Sequence, residues 1–366
     1  MKALAIGGAM IDTIAIIDSD RIERMTMLNA DSSFLLLEEG RKTEASDIST
    51  HCGGGAVNAA VAFARLGLDV AVLMKLGQDA RADTILARMT QERVSTRWAL
   101  RDARAPTGAA VLVSSHDRNA AVFTFRGANT LLEPEDLRDD AFAVDIVHVS
   151  NLSNRSADCF PEIVTRAKAQ GALVSANPGV RQLSARSGAF QECLKSIDIL
   201  TFNRGEADVL VPSLVARFGE GGAVPALEPG EEPPALFVRG LVGGGFEMSL
   251  VGFLSALAAM GPKAVVITDG SRGAYLGLGK EIMYCPALPV ATVGTAGAGD
   301  AFSSTFTAYY AMGRQPADAL KAASINAASV VSYVDTQSGL LTSSAVERRL
   351  AEAAVSIRRW AGQRAP

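Results

Sequence analysis

Short apolar runs recur along the chain, each closed by glycine or a small polar residue and followed by a helical pattern. Ala3–Ile6 ends on Gly7-Gly8, and Val70–Leu76, Ile146–Val149, Leu173–Ser175, Ile197–Phe202 and Ala264–Thr268 are runs of the same kind. Between them Ala56–Leu66, Pro161–Gln170 and Ser187–Ser196 carry apolar positions at helical spacing. Near-continuous apolar strands alternating with helices predict a mostly parallel sheet covered on both faces, an α/β fold. A further apolar strand, Leu288–Val293, and an amphipathic helix, Ala301–Met312, are expected on either side of a glycine turn.

Two stretches break this rhythm. Residues 13–52 hold short strand candidates, Ser33–Glu38 among them, and no long helix. Residues 107–126 alternate apolar and polar positions on either side of a polar turn at His116–Asn119, the pattern of a hairpin. Both are predicted to pair into one small β-sheet, a lid over a cleft. Residues 1–12, 53–106 and 127–366 are left as the α/β core. Within it, residues 219–245 are rich in Gly and Pro and are expected to form a loop insertion. Phe34, Leu35, Leu36 and Leu37 are consecutive, so alternation sends two of them to each face of the lid. Apolar surface of that kind marks an interface, and a two-fold homodimer through the lid is expected.

Composition narrows the function classes. The 366 residues are 48% hydrophobic and 20% charged, a soluble globular profile. Lys and Arg total 35 against 39 Asp and Glu, a net charge of −4. No general basic field is present for nucleic acid or an anionic membrane, so neither is an expected partner. Cys52, Cys159, Cys193 and Cys285 are scattered without zinc-ligand spacing and fit a reducing compartment. The opening MKALAIGGAMIDTIAIID resembles a secretion signal, but Asp12 interrupts it and it reads better as a buried strand. Leu250–Met260 is too short an apolar run to span a bilayer. A cytoplasmic location is expected.

Four segments can carry chemistry. In Thr292–Phe302, Gly297, Ala298 and Gly299 form a tight turn that leaves backbone amides free at a helix N-terminus, an anion site. Asp300 inside that turn suits a general base, with the amides holding developing charge. The structural alternative is that Asp300 merely caps the helix. In His51–Asp79, Gly53, Gly54 and Gly55 enter a helix and Asn58 follows one turn later. Close backbone approach and a donor–acceptor side chain suit a sugar hydroxyl, though small-residue packing alone explains the glycines. Asp12, beyond Gly7-Gly8, either binds hydroxyls or bonds nearby amides. Asn203-x-x-Glu206 has the spacing of a capping box, yet a glutamate at a strand's carboxyl end can also hold a magnesium-bound water beside phosphates. Dinucleotide and P-loop fingerprints are absent: Phe302 stands where the former needs its third glycine.

With these segments in order, the chain resembles the ribokinase-like carbohydrate kinases, the PfkB family. Gly53-Gly54-Gly55-Ala56-Val57-Asn58, through Arg65-Leu66-Gly67 to Gly77-x-Asp79, is similar to the first family signature. Gly297-Ala298-Gly299-Asp300 is similar to the second. Pro106-Thr107-Gly108, Gly127-Ala128-Asn129, Asn203-x-x-Glu206 and Thr268-Asp269-Gly270-x-x-Gly273-Ala274 fall between them in the family's order.

The resemblance implies a three-layer sandwich with a small β lid, and transfer of the γ-phosphoryl group of ATP, with Mg2+, to a hydroxymethyl group of a sugar or sugar-like compound. In that reading Asp300 is the base and the amides of Gly297, Ala298, Gly299 and Asp300 are the anion hole. Asp12, Gly54, Gly55 and Asn58 bind the substrate. Asn177, Asn203 and Glu206 lie near the phosphates, with Glu206 on Mg2+ through water. Thr268, Gly270, Gly273 and Asn326 line the nucleotide site. The family often writes Asp-Thr-Thr before Gly-Ala-Gly-Asp, and that Asp supports a monovalent cation. Gly294 and Ala296 stand at its first and third positions here, so K+ activation does not follow. Ribokinases tend to carry a glutamate after the strand Ile146–Val149, where Asn151 and Ser153 stand, so ribose does not follow either. A nucleoside kinase of the adenosine type is the alternative, and a non-catalytic binding protein of the same fold is a third.

Overall fold

The computed structural model describes residues 1–18, 20, 23–26, 33–36, 39–40, 42–115, 120–221 and 232–361. The strands begin with β1 (Lys2–Ile6), β2 (Met10–Ile17), β3 (Glu23–Thr26), β4 (Ser33–Leu36), β5 (Asp47–Gly53) and β6 (Asp69–Gly77). They continue with β7 (Ser95–Asp102), β8 (Gly108–Ser115), β9 (Ala120–Phe125), β10 (Ile146–Val149), β11 (Leu173–Ala176) and β12 (Ile199–Asn203). The last are β13 (Leu241–Gly243), β14 (Phe246–Met248), β15 (Ala264–Thr268), β16 (Ala274–Leu278), β17 (Glu281–Cys285) and β18 (Arg358–Ala361).

Ten of these form the central sheet, in the order β18-β17-β16-β15-β12-β11-β10-β1-β6-β7. From β7 to β15 every pairing is parallel, and β16, β17 and β18 close the far side antiparallel. Alternation along β1 shows why both faces are covered. Leu4 and Ile6 enter one apolar core and Ala3 and Ala5 the other, all four fully buried. Burying side chains the size of Leu4 and Ile6 contributes about 1.5–3 kcal/mol each. Helices α1 (Gly55–Arg65), α2 (Ala80–Gln91), α3 (Phe160–Ala169), α4 (Val180–Ala185), α5 (Ser187–Cys193) and α6 (Arg204–Phe218) supply much of the two layers. They are completed by α7 (Ala235–Arg239), α8 (Leu250–Met260), α9 (Ala298–Ala311), α10 (Pro316–Val330) and α11 (Ser343–Glu352). No helix of the described residues is long and apolar enough to cross a membrane.

The chain leaves β1 for β6 and β7 on one side and later returns through β10 on the other, so β1 and β10 flank the point where strand order reverses. Ligands of open α/β sheets bind beyond the carboxyl ends of the strands at such a point.

A four-stranded sheet, β5-β2-β8-β9, stands beside the core. It begins at Met10, inside the stretch expected to belong to the core, and β2 is one of its two inner strands, antiparallel to β5 and parallel to β8. Ser33–Leu36 does not join it: β4 pairs only with β3, as a separate hairpin. The expected turn at His116–Asn119 and Leu37 lie outside the described residues. Two other expectations are corrected. Leu288–Val293 forms no strand, because no neighbour offers it a ladder. Val290 and Val293 are exposed, and the Val293 amide instead donates to the Val331 carbonyl at 2.7 Å. The 219–245 insertion is not all loop, since it contributes α7 and β13 and buries Leu236, Phe237 and Leu241 in the core.

Candidate active site

Helix α9 starts from Gly297, whose φ of 78° puts it in the left-handed region. A side chain there would also meet Thr336, with a Cβ 2.6 Å from the threonine Cβ. The turn delivers Ala298, Gly299 and Asp300 as the first three helical residues, whose amides have no intrahelical acceptor. Gly299 is exposed and nothing covers it. The helix has no side-chain cap. Asp300 therefore does not close its own helix.

Its carboxylate turns to α1, where Asn58 Nδ2 donates to Oδ2 at 2.8 Å. Burial raises the Asp300 pKa from the ordinary carboxylate value, and the Asn58 bond opposes that rise. Asn58 is itself buried, and its Oδ1 accepts from Thr336 Oγ1 at 2.8 Å and Gln337 Nε2 at 3.3 Å. Gln337 is fixed in turn: Nε2 donates to the Cys52 carbonyl at 2.9 Å and Oε1 accepts from Arg88 Nε at 3.0 Å. Asn58 is thus bonded to Asp300 on one side and to Thr336 and Gln337 on the other. Thr336 and Gln337 escaped the sequence reading. Their only signal is a polar run, Asp335–Ser338, between two helices.

Asp12 lies on β2, 8% exposed, with its carboxylate against the backbone of Gly53. It accepts no hydrogen bond from any described residue, and burial together with the charge of Asp300 raises its pKa to about 6. An unpaired buried carboxylate is costly and waits for donors. Gly54 ends the next wall. Its φ is 97° and a Cβ there would sit 2.5 Å from the Gly8 carbonyl, so β5, α1 and the β1–β2 turn can meet only through glycine. Asn129 clamps that same turn, its side chain bonding both the amide and the carbonyl of Ala9 at 2.9 and 2.8 Å. Ser150, at the end of β10, is a further residue not foreseen. Its Oγ donates to the Ile6 carbonyl at 3.1 Å, and the spot a Cβ on Gly55 would take lies 2.6 Å from that Oγ and 3.4 Å from Asp300 Oδ1.

Across the cleft, Asn177, Asn203 and Thr268 follow or end β11, β12 and β15. Asn177 Nδ2 donates to the Thr201 carbonyl at 2.9 Å, and Thr268 Oγ1 to the Phe202 carbonyl at 3.3 Å. Asn203 and Glu206 form a complete capping box for α6, so the structural explanation of their spacing holds. Glu206 nevertheless belongs to the cleft's charge set. Burial and the field of Asp300 push its pKa up to about 7 against the pull of the Asn203 amide. Gly270 is open, whereas Gly273 packs its Cα on the Cys285 carbonyl. Asn326 does not line the nucleotide site. It is fully buried, with Nδ2 on Thr305 Oγ1 at 2.7 Å and Oδ1 on the Leu341 amide at 2.9 Å. Its helical position faces α9, where Thr305 accepts one of its amide hydrogens.

No group of three or more His, Cys, Asp or Glu among the described residues could hold a metal directly. Glu206 and Asp300 do suit a hydrated hard cation. They are oxygen donors whose negative charges disfavour one another, a repulsion that a divalent ion bound nearby would offset.

Residues 15–217 and 249–343 match the pfkB family carbohydrate kinase pattern. The chain belongs to this family. Among its relatives, the deoxyribokinase of Salmonella typhi is 26% identical over 331 residues, covering 89% of this chain and 94% of the relative. A putative ribokinase II from E. coli, solved in complex with ATP and Mg2+, superposes with a TM-score of 0.73 at 18% identity, covering 96% of this chain and 99% of that one. A nucleoside kinase of Methanocaldococcus jannaschii gives 0.70 at 18% identity, covering 96% and 98%. Family membership makes the chain a phosphotransferase of the carbohydrate-kinase type with the ribokinase fold. Several family motifs then turn out to be brackets. Asp79 caps α2 through the Ala82 amide and also accepts from the Thr107 amide and hydroxyl at 2.8 and 2.7 Å, tying α2 to the start of β8.

Proposed function

We propose that the protein transfers the γ-phosphoryl group of ATP to a hydroxymethyl group of a sugar or sugar-like molecule, with Asp300 as general base. The observation that carries this reading is that the Asp300 carboxylate, half-buried at a helix N-terminus, is aimed by Asn58 and not spent on capping. Its raised pKa brings it closer to that of a useful base at neutral pH. The amides of Gly299 and Asp300, with Gly297 and Ala298 shaping the turn, face the charge that develops on the phosphoryl oxygens. Asp12, without a donor among the described residues, accepts from substrate hydroxyls and sets the acceptor alcohol beside Asp300. Gly54 and Gly55 let the sugar approach the backbone. Asn177, Asn203 and Glu206 stand on the phosphate side, where Glu206 would hold a water of Mg2+. When bound, that ion neutralises phosphate charge. The E. coli relative solved with ATP and Mg2+ supports this choice of nucleotide and metal.

Strand register favours a sugar over a nucleobase. Asp12 pairs with Ala110, and Ala110 with Thr124, so these share one face. Phe123 and Phe125, the aromatic side chains described on this sheet, lie on the opposite face and offer no stacking surface beside Asp12. That opposite face also carries Val111 and Ile48, and it is open to solvent, with Phe123 58% and Ile48 65% exposed. Two copies packing lid to lid would cover it, and the interface belongs there more than on Ser33–Leu36. Light scattering of the wild type and Phe123→Glu tests this: a dimer that becomes monomeric is expected, and a wild-type monomer at micromolar concentration refutes it. For the reaction itself, ADP release from ATP·Mg2+ is measured over a panel of sugars and nucleosides. Release dependent on a sugar alcohol is expected, and release dependent on nucleosides alone, or on none, contradicts the reading.

A further inference from the structure

Arg126 has no acid to answer it among the described residues. It is half-buried, between β9 and the turn Gly127–Thr130 whose Asn129 clamps Ala9. Among the described residues its one side-chain partner is a neutral hydroxyl: Nη1 donates to Ser153 Oγ at 2.8 Å. The charges it feels do not compensate burial. Desolvation lowers its pKa and a second guanidinium, Arg181, lowers it further. Arg181 stands on α4, the helix that opens from Gly179, whose Cα rests on the Asn151 side chain. Neither arginine forms an ion pair with a described residue, in a chain where most buried or half-buried guanidinium and ammonium groups are paired.

Their place decides what they are for. Ser153 lies three residues beyond Ser150, which touches the same wall as Asp300. Arg126 follows directly on the lid strand β9, whose sheet also carries Asp12. The guanidinium therefore joins the lid side of the cleft to the carboxyl end of β10, on the substrate side and away from Asn203, Glu206 and Thr268. Arg126, half-buried on a neutral hydroxyl and in the field of the exposed Arg181, forms the core of an anion subsite, and its planar fork fits two oxygens of one group.

We infer that the natural acceptor is a polyhydroxy compound bearing a carboxylate or phosphate, held by Arg126 with Arg181 while its hydroxymethyl end meets Asp300. This rests on the kinase reading above and narrows its substrate class. A neutral sugar would leave the half-buried Arg126 without a counterion, whereas the exposed Arg181 is answered by solvent.

The test pairs neutral sugars with the matching aldonates and sugar monophosphates, each measured by thermal shift and by ADP release with ATP·Mg2+. Anionic members are expected to stabilise the protein and to turn over best, with the carboxylate and phosphate arms telling the two sources apart. Arg126→Gln should lower kcat/KM for the anionic substrate roughly 10- to 100-fold, the loss of a charge-assisted hydrogen-bonded pair. Arg126→Lys should recover part of it, and Arg181→Gln should lose less. KM for ATP and the rate on any slow neutral sugar should stay within about twofold, which a merely structural role of Arg126 would not allow. Neutral sugars turned over best, with equal kcat/KM in wild type and Arg126→Gln, would overturn the inference and leave the kinase reading standing. Arg126-dependent stabilisation by anionic sugars without any phosphoryl transfer would uphold the subsite and overturn the kinase reading. A raised KM for ATP in Arg126→Gln would assign the arginine to the nucleotide and overturn the inference.

Discussion

Replacing Asn58 by Leu keeps the volume of the side chain and removes its amide. The substitution deletes the 2.8 Å donation to Asp300 and leaves Thr336 Oγ1 and Gln337 Nε2 without their Oδ1 acceptor. Gln337 keeps its bond to the Cys52 carbonyl, and Thr336 has the same carbonyl at 3.5 Å, so the donors are not stranded. The main loss is one hydrogen bond to a half-buried carboxylate, about 1.5–3 kcal/mol. If that energy is felt by the ionised form alone, the Asp300 pKa rises by about 1 to 2 pH units, at 1.36 kcal/mol per unit. The sign is fixed by the chemistry. Burial already holds this pKa high and Asn58 is the group that lowers it. Without Asn58, Asp300 takes up its proton at higher pH and the base is lost sooner as pH falls. The acid limb of kcat should therefore move upward by about 1 to 2 units, with the plateau at high pH less affected. A pH–rate profile of Asn58→Leu beside the wild type reads this directly. An acid limb that stays in place while Tm drops would refute the coupling and leave Asn58 a packing residue.

Other consequences follow from the same geometry. Asp12, at about 6 in the folded state against an ordinary 3.8, favours folding when protonated. Its contribution is fully present below about 3.8 and is lost as pH rises through about 6, so at pH 8 it costs on the order of 3 kcal/mol. Asp12→Asn should raise Tm at pH 8, with the advantage shrinking toward pH 4, and should weaken sugar binding; an unchanged Tm difference across pH would count against the buried charge. Glu206→Gln can still accept the Asn203 amide and should keep Tm, yet need more Mg2+ for half-maximal rate, while Glu206→Ala should also lose about 1 kcal/mol of helix capping. A normal Mg2+ profile in both variants would make Glu206 a cap only. Asn129→Ala removes both clamps on Ala9 and should destabilise by about 2–3 kcal/mol and raise the KM for the sugar. An unchanged KM would separate that turn from the substrate.

Much of the fold was legible because the strands are buried on both faces. Ala3–Ile6 has no polar residue to give away a solvent side, and alternate residues of β1 do feed two cores. Leu288–Val293 has the same local character and fails for want of a partner, since β propensity describes fitness for a pleated surface and cannot supply the neighbouring strand. The second glycine motif announced Asp300 through its own spacing. What holds Asp300 did not show, because Asn58 is 242 residues away in sequence and Thr336 a further long step from Asn58. The family resemblance alone places Asn326 at the nucleotide site, and its burial against α9 shows only in the packed molecule. The unpaired state of Arg126 is likewise a property of the packed molecule, for nothing along residues 120–130 says which charges are missing around it.

The central claim is that Asp300 takes the proton of the acceptor alcohol, and Asp300→Asn tests it most directly because it keeps the shape of the side chain and its place beside Asn58. Steady-state turnover on the best alcohol substrate is measured together with ATP affinity and Tm. A fall in kcat of about 10² to 10⁴, with ATP binding and Tm near wild type, is the predicted result. Turnover within a few-fold of wild type would contradict the mechanism and leave Asp300 a structural neighbour of the phosphoryl site.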